Sequence, residues 1–231
     1  MKFLFALGLV VVTVYVHGDQ VGTTTGYWDC CKPSCAWPGK ANVSRPSLAC
    51  DINDQPINDS NAYSGCGDDG VAYMCSHEQP WAIDDNLSYG FAAVNIGGQT
   101  EADWCCACYE LTFTDDPIKG KKFVVQATNT GGDLQDNHFD MAIPGCGVGY
   151  LNGCTAEYNA PADGWGARYG GISQEEECSE LPELLQPGCE WRWSWYLGAQ
   201  IPNVTFTRVK CPTEITDKSQ CIRDDENTFS G

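Results

Sequence analysis

Two segments of the chain carry carboxylates in settings that suit proton transfer. The first, Tyr27-Trp28-Asp29-Cys30-Cys31-Lys32-Pro33-Ser34-Cys35, sets Asp29 beside two aromatic rings and near a cluster of three cysteines. The second, from Gly131 to Gly145, holds Asp133, Asp136 and Asp140. Gly131 and Gly132 give backbone freedom around Asp133, whereas Phe139, Met141, Ile143 and Pro144 give Asp140 apolar neighbours. An apolar setting raises a carboxyl pKa and keeps the group protonated, as a general acid requires; Asp29 is then left to ionise and act as base. Two carboxyls in these roles are the minimum equipment for hydrolysing a glycosidic bond. Spacing alone leaves a plainer option open, because aspartates in glycine-rich loops commonly close turns.

Tyr27, Trp28 and Trp37 flank the first segment. Their flat faces suit the C–H surface of a pyranose, although such residues also serve as core. Nucleophilic chemistry is poorly supported: no G-x-S-x-G element occurs, and no catalytic cysteine stands out among 15 cysteines. With only three histidines, one of them His17, and no paired C-x-x-C elements with a His partner, the cysteines read as disulfides and no metal or other cofactor is expected.

The amino terminus supports that redox reading. Met1 and Lys2 precede an apolar run from Phe3 to Val16, and Val16 and Gly18 fit a cleavage after Gly18. Residues 1–18 are therefore expected to be a secretory signal peptide, with residues 19–231 forming one extracellular domain. Sequons at Asn42, Asn58, Asn86 and Asn203 fit export. A net charge of -18 repels phosphate backbones and argues against a nucleic-acid partner. No later stretch is apolar enough for a membrane helix, and no linker or repeat divides the chain, so a monomeric domain without membrane contact is expected.

The elements that must position these residues read mostly as strands. Residues 71–75, 89–94, 109–113, 123–127 and 204–209 are rich in β-branched and aromatic side chains and bounded by turn formers. The best helical signal starts at Ser173, with Glu176 completing a capping box, and stops at Pro187-Gly188. Trp191 to Trp195 fits a strand or a helix equally well. Short strands, long loops and dense cysteines together suggest an all-β fold, a small barrel clamped by disulfides.

In these segments the chain resembles glycoside hydrolase family 45, a family of small endo-β-1,4-glucanases. The likeness rests on the Tyr27 to Cys35 segment, on Trp104-Cys105-Cys106-Ala107-Cys108-Tyr109-Glu110-Leu111-Thr112-Phe113, on Asn137-His138-Phe139-Asp140, on Arg168-Tyr169-Gly170-Gly171-Ile172 and on Pro187-Gly188-Cys189. The resemblance implies a six-stranded double-psi β-barrel with a groove for a β-glucan polysaccharide. It implies an inverting mechanism with Asp29 as general base, Asp140 as general acid and Asp133 as an auxiliary carboxylate. Tyr27 is then expected at the reacting sugar, with Lys32, Trp37, His138 and Tyr169 lining the groove. Inversion needs room for a water, so the two carboxyls are expected roughly 6.5–9.5 Å apart. The resemblance also implies disulfides Cys30–Cys154, Cys31–Cys66, Cys35–Cys105, Cys50–Cys75, Cys106–Cys221, Cys108–Cys211 and Cys178–Cys189, with Cys146 left over.

Two positions depart from the family pattern: Cys146 stands where glycine is usual, and Gly26 where arginine precedes Tyr-Trp-Asp. Loss of the guanidinium removes a fixed charge near Asp29 and loosens the backbone there. A catalytically weak glucan binder is therefore the main rival reading, and an expansin-like wall-loosening protein a third. Expansins lack the equivalent of Asp29 and carry a second domain for which this chain has no room.

Overall fold

Among the described residues, extended segments rich in β-branched and aromatic residues form seven strands: β1 (Gln20–Tyr27), β2 (Trp81–Ala82), β3 (Leu87–Asn95), β4 (Cys108–Phe113), β5 (Lys122–Thr130), β6 (His138–Ala142) and β7 (Asn203–Val209). The computed structural model describes residues 20–229, so the expected signal peptide lies outside the described residues. Six strands close in the order β3-β5-β4-β7-β1-β6 and back to β3, while the two-residue β2 extends the edge at the start of β3. The β1/β6 and β3/β5 pairs are parallel and the other pairs antiparallel. This is the expected six-stranded all-β barrel, and closure leaves no long exposed edge.

Alternation along the strands decides what faces the core. On β6, Phe139 and Met141 are fully buried, while the intervening His138 and Asp140 keep partial access to solvent. Phe139 packs edge-on against Phe206 and Tyr109, with ring centroids 4.8 and 5.5 Å apart. Among the described residues, four short helices decorate the barrel: α1 (Glu101–Trp104), α2 (Cys154–Tyr158), α3 (Gln186–Ser194) and α4 (Thr213–Ser219). No helix among the described residues is long and apolar enough to cross a membrane.

All seven expected disulfides are present, and Cys146 is free and buried. Cys30–Cys154 and Cys106–Cys221 join residues 124 and 115 positions apart. In the chain-entropy account each such long closure contributes on the order of 4–5 kcal/mol by restricting the unfolded chain.

Two local expectations need correction. Residues 71–75 form no strand; Tyr73 makes isolated bridges to Cys31 and Cys50, and the Cys50–Cys75 bond pins the segment to a loop instead of a sheet. The helix expected from Ser173 is a 3-10 turn at Glu175–Glu180, and Glu177 rather than Glu176 accepts the Ser173 N–H (2.8 Å). The longer helix, α3, begins where the earlier one was expected to stop. Pro187 lies in its first turn, where a missing N–H costs nothing. Helical spacing also settles the tryptophans, since Trp191 and Trp195 stack with centroids 5.2 Å apart.

Candidate active site

Parallel pairing of β1 with β6 brings the two carboxylate segments together. Thr25 lies opposite Asp140 and Tyr27 opposite Ala142, and Asp29 follows two residues beyond the end of β1. Asp29, Asp133, His138 and Asp140 all open onto one groove of about 1120 Å³ that also reaches Tyr27, Lys32, Trp37 and Tyr169. Every site residue named from the sequence thus borders a single cavity.

Asp29 is held from the backbone outward. Its carbonyl accepts the Gly153 N–H (2.7 Å), its Oδ1 accepts the Cys31 N–H (2.9 Å), and the flanking Cys30 and Cys31 are bonded to Cys154 and Cys66. Burial pushes its carboxyl up to about 7; the Cys31 amide opposes the rise and the charge of Asp140 adds to it. Asp140 also stands at about 7, raised by burial and by Asp133, with the Thr25 hydroxyl opposing. The opposed environments expected of an ionised base and a neutral acid are therefore not found: both carboxyls are raised alike by burial. The Cys31 N–H on Asp29 and the Thr25 hydroxyl on Asp140 each donate to the ionised carboxylate and oppose the rise that burial causes.

The Thr25 hydroxyl donates to Asp140 Oδ1 (2.5 Å) and lies 2.8 Å from His138 Nε2, so it ties the proposed acid to the histidine two residues before it. Burial lowers the His138 pKa and favours the neutral ring. Tyr27 is buried and its hydroxyl accepts from Asn129 Nδ2 (3.0 Å); Asn129 Oδ1 in turn accepts the Ser34 N–H (2.8 Å). Asp133 is exposed on the loop after β5, and Tyr169 is 70% exposed at the rim. Lys32 borders the groove, yet its amine is turned away to the Ser60 and Ala62 carbonyls. Gly26, expected to loosen the backbone, is held in register opposite Met141 inside β1.

Thr25 and Asn129 line this groove, though no motif marked them, and Glu78 is buried close enough to Asp29 to feel its charge. Thr25 was legible in one respect: it lies two residues before Tyr27, on the same side of an alternating strand. Glu78 is fully buried, and burial pushes its carboxyl up to about 8, with the Thr128 hydroxyl opposing and the charge of Asp29 adding a smaller rise. Among the described residues, the one cluster with metal-ligand geometry is Cys50, Asp54 and Cys75; its two sulfurs are bonded to each other and are unavailable as thiolates.

The endoglucanase of the springtail Cryptopygus antarcticus is 51% identical over 223 residues, covering 96% of this chain and 98% of that protein. A putative endoglucanase type K of Fusarium oxysporum is 56% identical over 208 residues, which is 90% of this chain and 55% of the fungal protein. The chain thus spans about half the length of the fungal relative and nearly all of the springtail one. The crystal structure of the Cryptopygus antarcticus cellulase matches with a TM-score of 0.86 at 53% identity, covering 90% of this chain and 99% of that one. Residues 21–222 match glycosyl hydrolase family 45, and the chain belongs to that family.

Proposed function

We propose that the protein is a secreted endo-β-1,4-glucanase that hydrolyses internal bonds of cellulose or a related β-glucan with inversion. The observation that carries this reading is the placement of Asp29 and Asp140 on one groove by the parallel β1/β6 pair. Asp29 takes a proton from water as the water oxygen bonds to C1 of the sugar. The bond from C1 to the leaving oxygen breaks, that oxygen keeps the electron pair, and Asp140 supplies its proton. Asp133 adds negative charge that keeps Asp140 protonated, and Tyr27, Trp37, His138 and Tyr169 hold the glucan. No metal is needed, because water is the nucleophile and carboxyls carry both protons.

Retention of Asp29 favours an enzyme over an expansin-like protein. Release of reducing ends from carboxymethylcellulose, with the product anomer followed by NMR, tests the proposal. The α-anomer is expected first. A β-anomer product overturns inversion, and no cleavage of any soluble β-glucan overturns the enzymatic reading in favour of a glucan binder. Peptide mapping of the protein recovered from culture medium tests export and cleavage after Gly18.

A further inference from the structure

Trp37 has two indole faces, and the protein has already used one of them. Lys32 Nζ lies 3.5 Å from the centre of the indole ring, and Tyr63 meets the ring edge-on with centroids 6.2 Å apart. The same amine donates to the carbonyls of Ser60 (2.7 Å) and Ala62 (2.8 Å), while the Lys32 N–H donates to Ser64 Oγ (3.2 Å). An ammonium has three donors. Two are spent on carbonyls, and the cation rests against the π-face.

We infer that Lys32 is a positioning residue, which fastens Trp37 and the segment carrying Tyr63 into one rigid platform and leaves a single indole face open to a sugar ring of the glucan. Lys32 is 5% exposed while Tyr63 is 71% exposed, so the clamp lies beneath the surface; Trp37 lines the groove and Tyr63 packs against it from the solvent side. The inference rests on the proposed glucan-binding role of the groove. It reassigns Lys32 from touching substrate to holding the residue that does.

A second consequence concerns pH. Burial lowers the Lys32 amine to about 8, with the charge of Asp59 opposing that fall. Among the described residues, Asp59 is the charge that offsets its burial, and the groups on the amine are the two carbonyls and the indole. As the amine loses its proton, the cation–π contact is lost and the platform loosens.

Two measurements test the inference on the full-length protein. Without glucan, the indole fluorescence of the free protein should show a step near pH 8 that disappears in both Trp37→Ala and Lys32→Met. With an unhydrolysable thio-linked β-glucan oligosaccharide, Lys32→Met should weaken binding roughly 2- to 30-fold, with no further loss when it is added to Trp37→Ala. On a soluble glucan it should raise KM and leave kcat within about twofold, since a cation–π contact away from the carboxylates bears on binding. A drop in kcat at unchanged KM, or binding losses from the two variants that simply add, overturns the inference. If the wild type binds no β-glucan while the fluorescence step near pH 8 is intact, the glucan reading fails and the Lys32–Trp37 clamp stands. Should Lys32→Met not fold, the wild-type and Trp37→Ala titrations decide: a step of equal size in both overturns the clamp.

Discussion

A Cβ placed on Gly26 would lie 2.9 Å from the sulfur of Cys146, 3.1 Å from its Cβ and 3.5 Å from Ile143 Cδ1. The two departures from the family pattern are therefore one fitted pair: the thiol occupies the space that a side chain at position 26 would enter. Gly26→Arg alone is expected to destabilise the protein by about 1–3 kcal/mol through overpacking and not to raise activity. Combining it with Cys146→Gly should recover most of that loss. Thermal unfolding of the single and double variants checks both statements.

Cys146 is buried, and burial pushes its thiol up to about 12, with Arg192 opposing and Asp140 adding to the rise. A thiol in that state is a poor nucleophile. A chromogenic disulfide reagent should find no reactive thiol in the native protein at pH 8 and one per chain in denaturant. Rapid native labelling would contradict this placement.

Activity requires Asp29 ionised and Asp140 protonated, and both carboxyls stand at about 7. The profile of kcat/KM against pH should be a narrow bell centred near 7, with apparent values that belong to the pair. Asp29→Asn and Asp140→Asn should each lower kcat by roughly 10²- to 10⁴-fold and remove the limb to which the lost group contributes.

Thr25 opposes the rise of the Asp140 pKa by donating a hydrogen bond to the ionised form. Thr25→Val keeps the shape and β-propensity of the side chain and removes the hydroxyl. Asp140 should then hold its proton to higher pH, moving the alkaline limb of the kcat profile upward while the fold is retained. A limb that moves downward would reverse the sign assigned to this bond.

Glu78 accepts one hydrogen bond from Thr128 (2.8 Å) and has a second buried oxygen without a partner. Burial pushes its carboxyl up to about 8 from the 4.5 of an unperturbed glutamate, opposed by Thr128 and assisted by Asp29. Between those two values the native protein holds a proton that the unfolded chain has released. The stabilisation is complete below the lower value and is lost as pH rises through the upper one. Glu78→Gln should flatten the decline of Tm between pH 5 and pH 8, as calorimetry across that range will show.

The motifs around Asp29 and Asp140 carried the family resemblance, and the six-stranded barrel and the seven disulfide pairings that the resemblance implied are present in the structure. The strands β1 and β6 were not legible. Glycine and threonines in one, and His138 and Asp140 in the other, dilute the apolar alternation on the face that lines the groove. Tertiary structure alone decided the chemistry of the groups. Thr25 and Asp140 are 115 residues apart, Lys32 and Ala62 30, and Glu78 and Thr128 50. Local order names an ionisable group, but its proton affinity and its free donors depend on burial and partners. Those partners come from distant parts of the chain and are set by barrel closure.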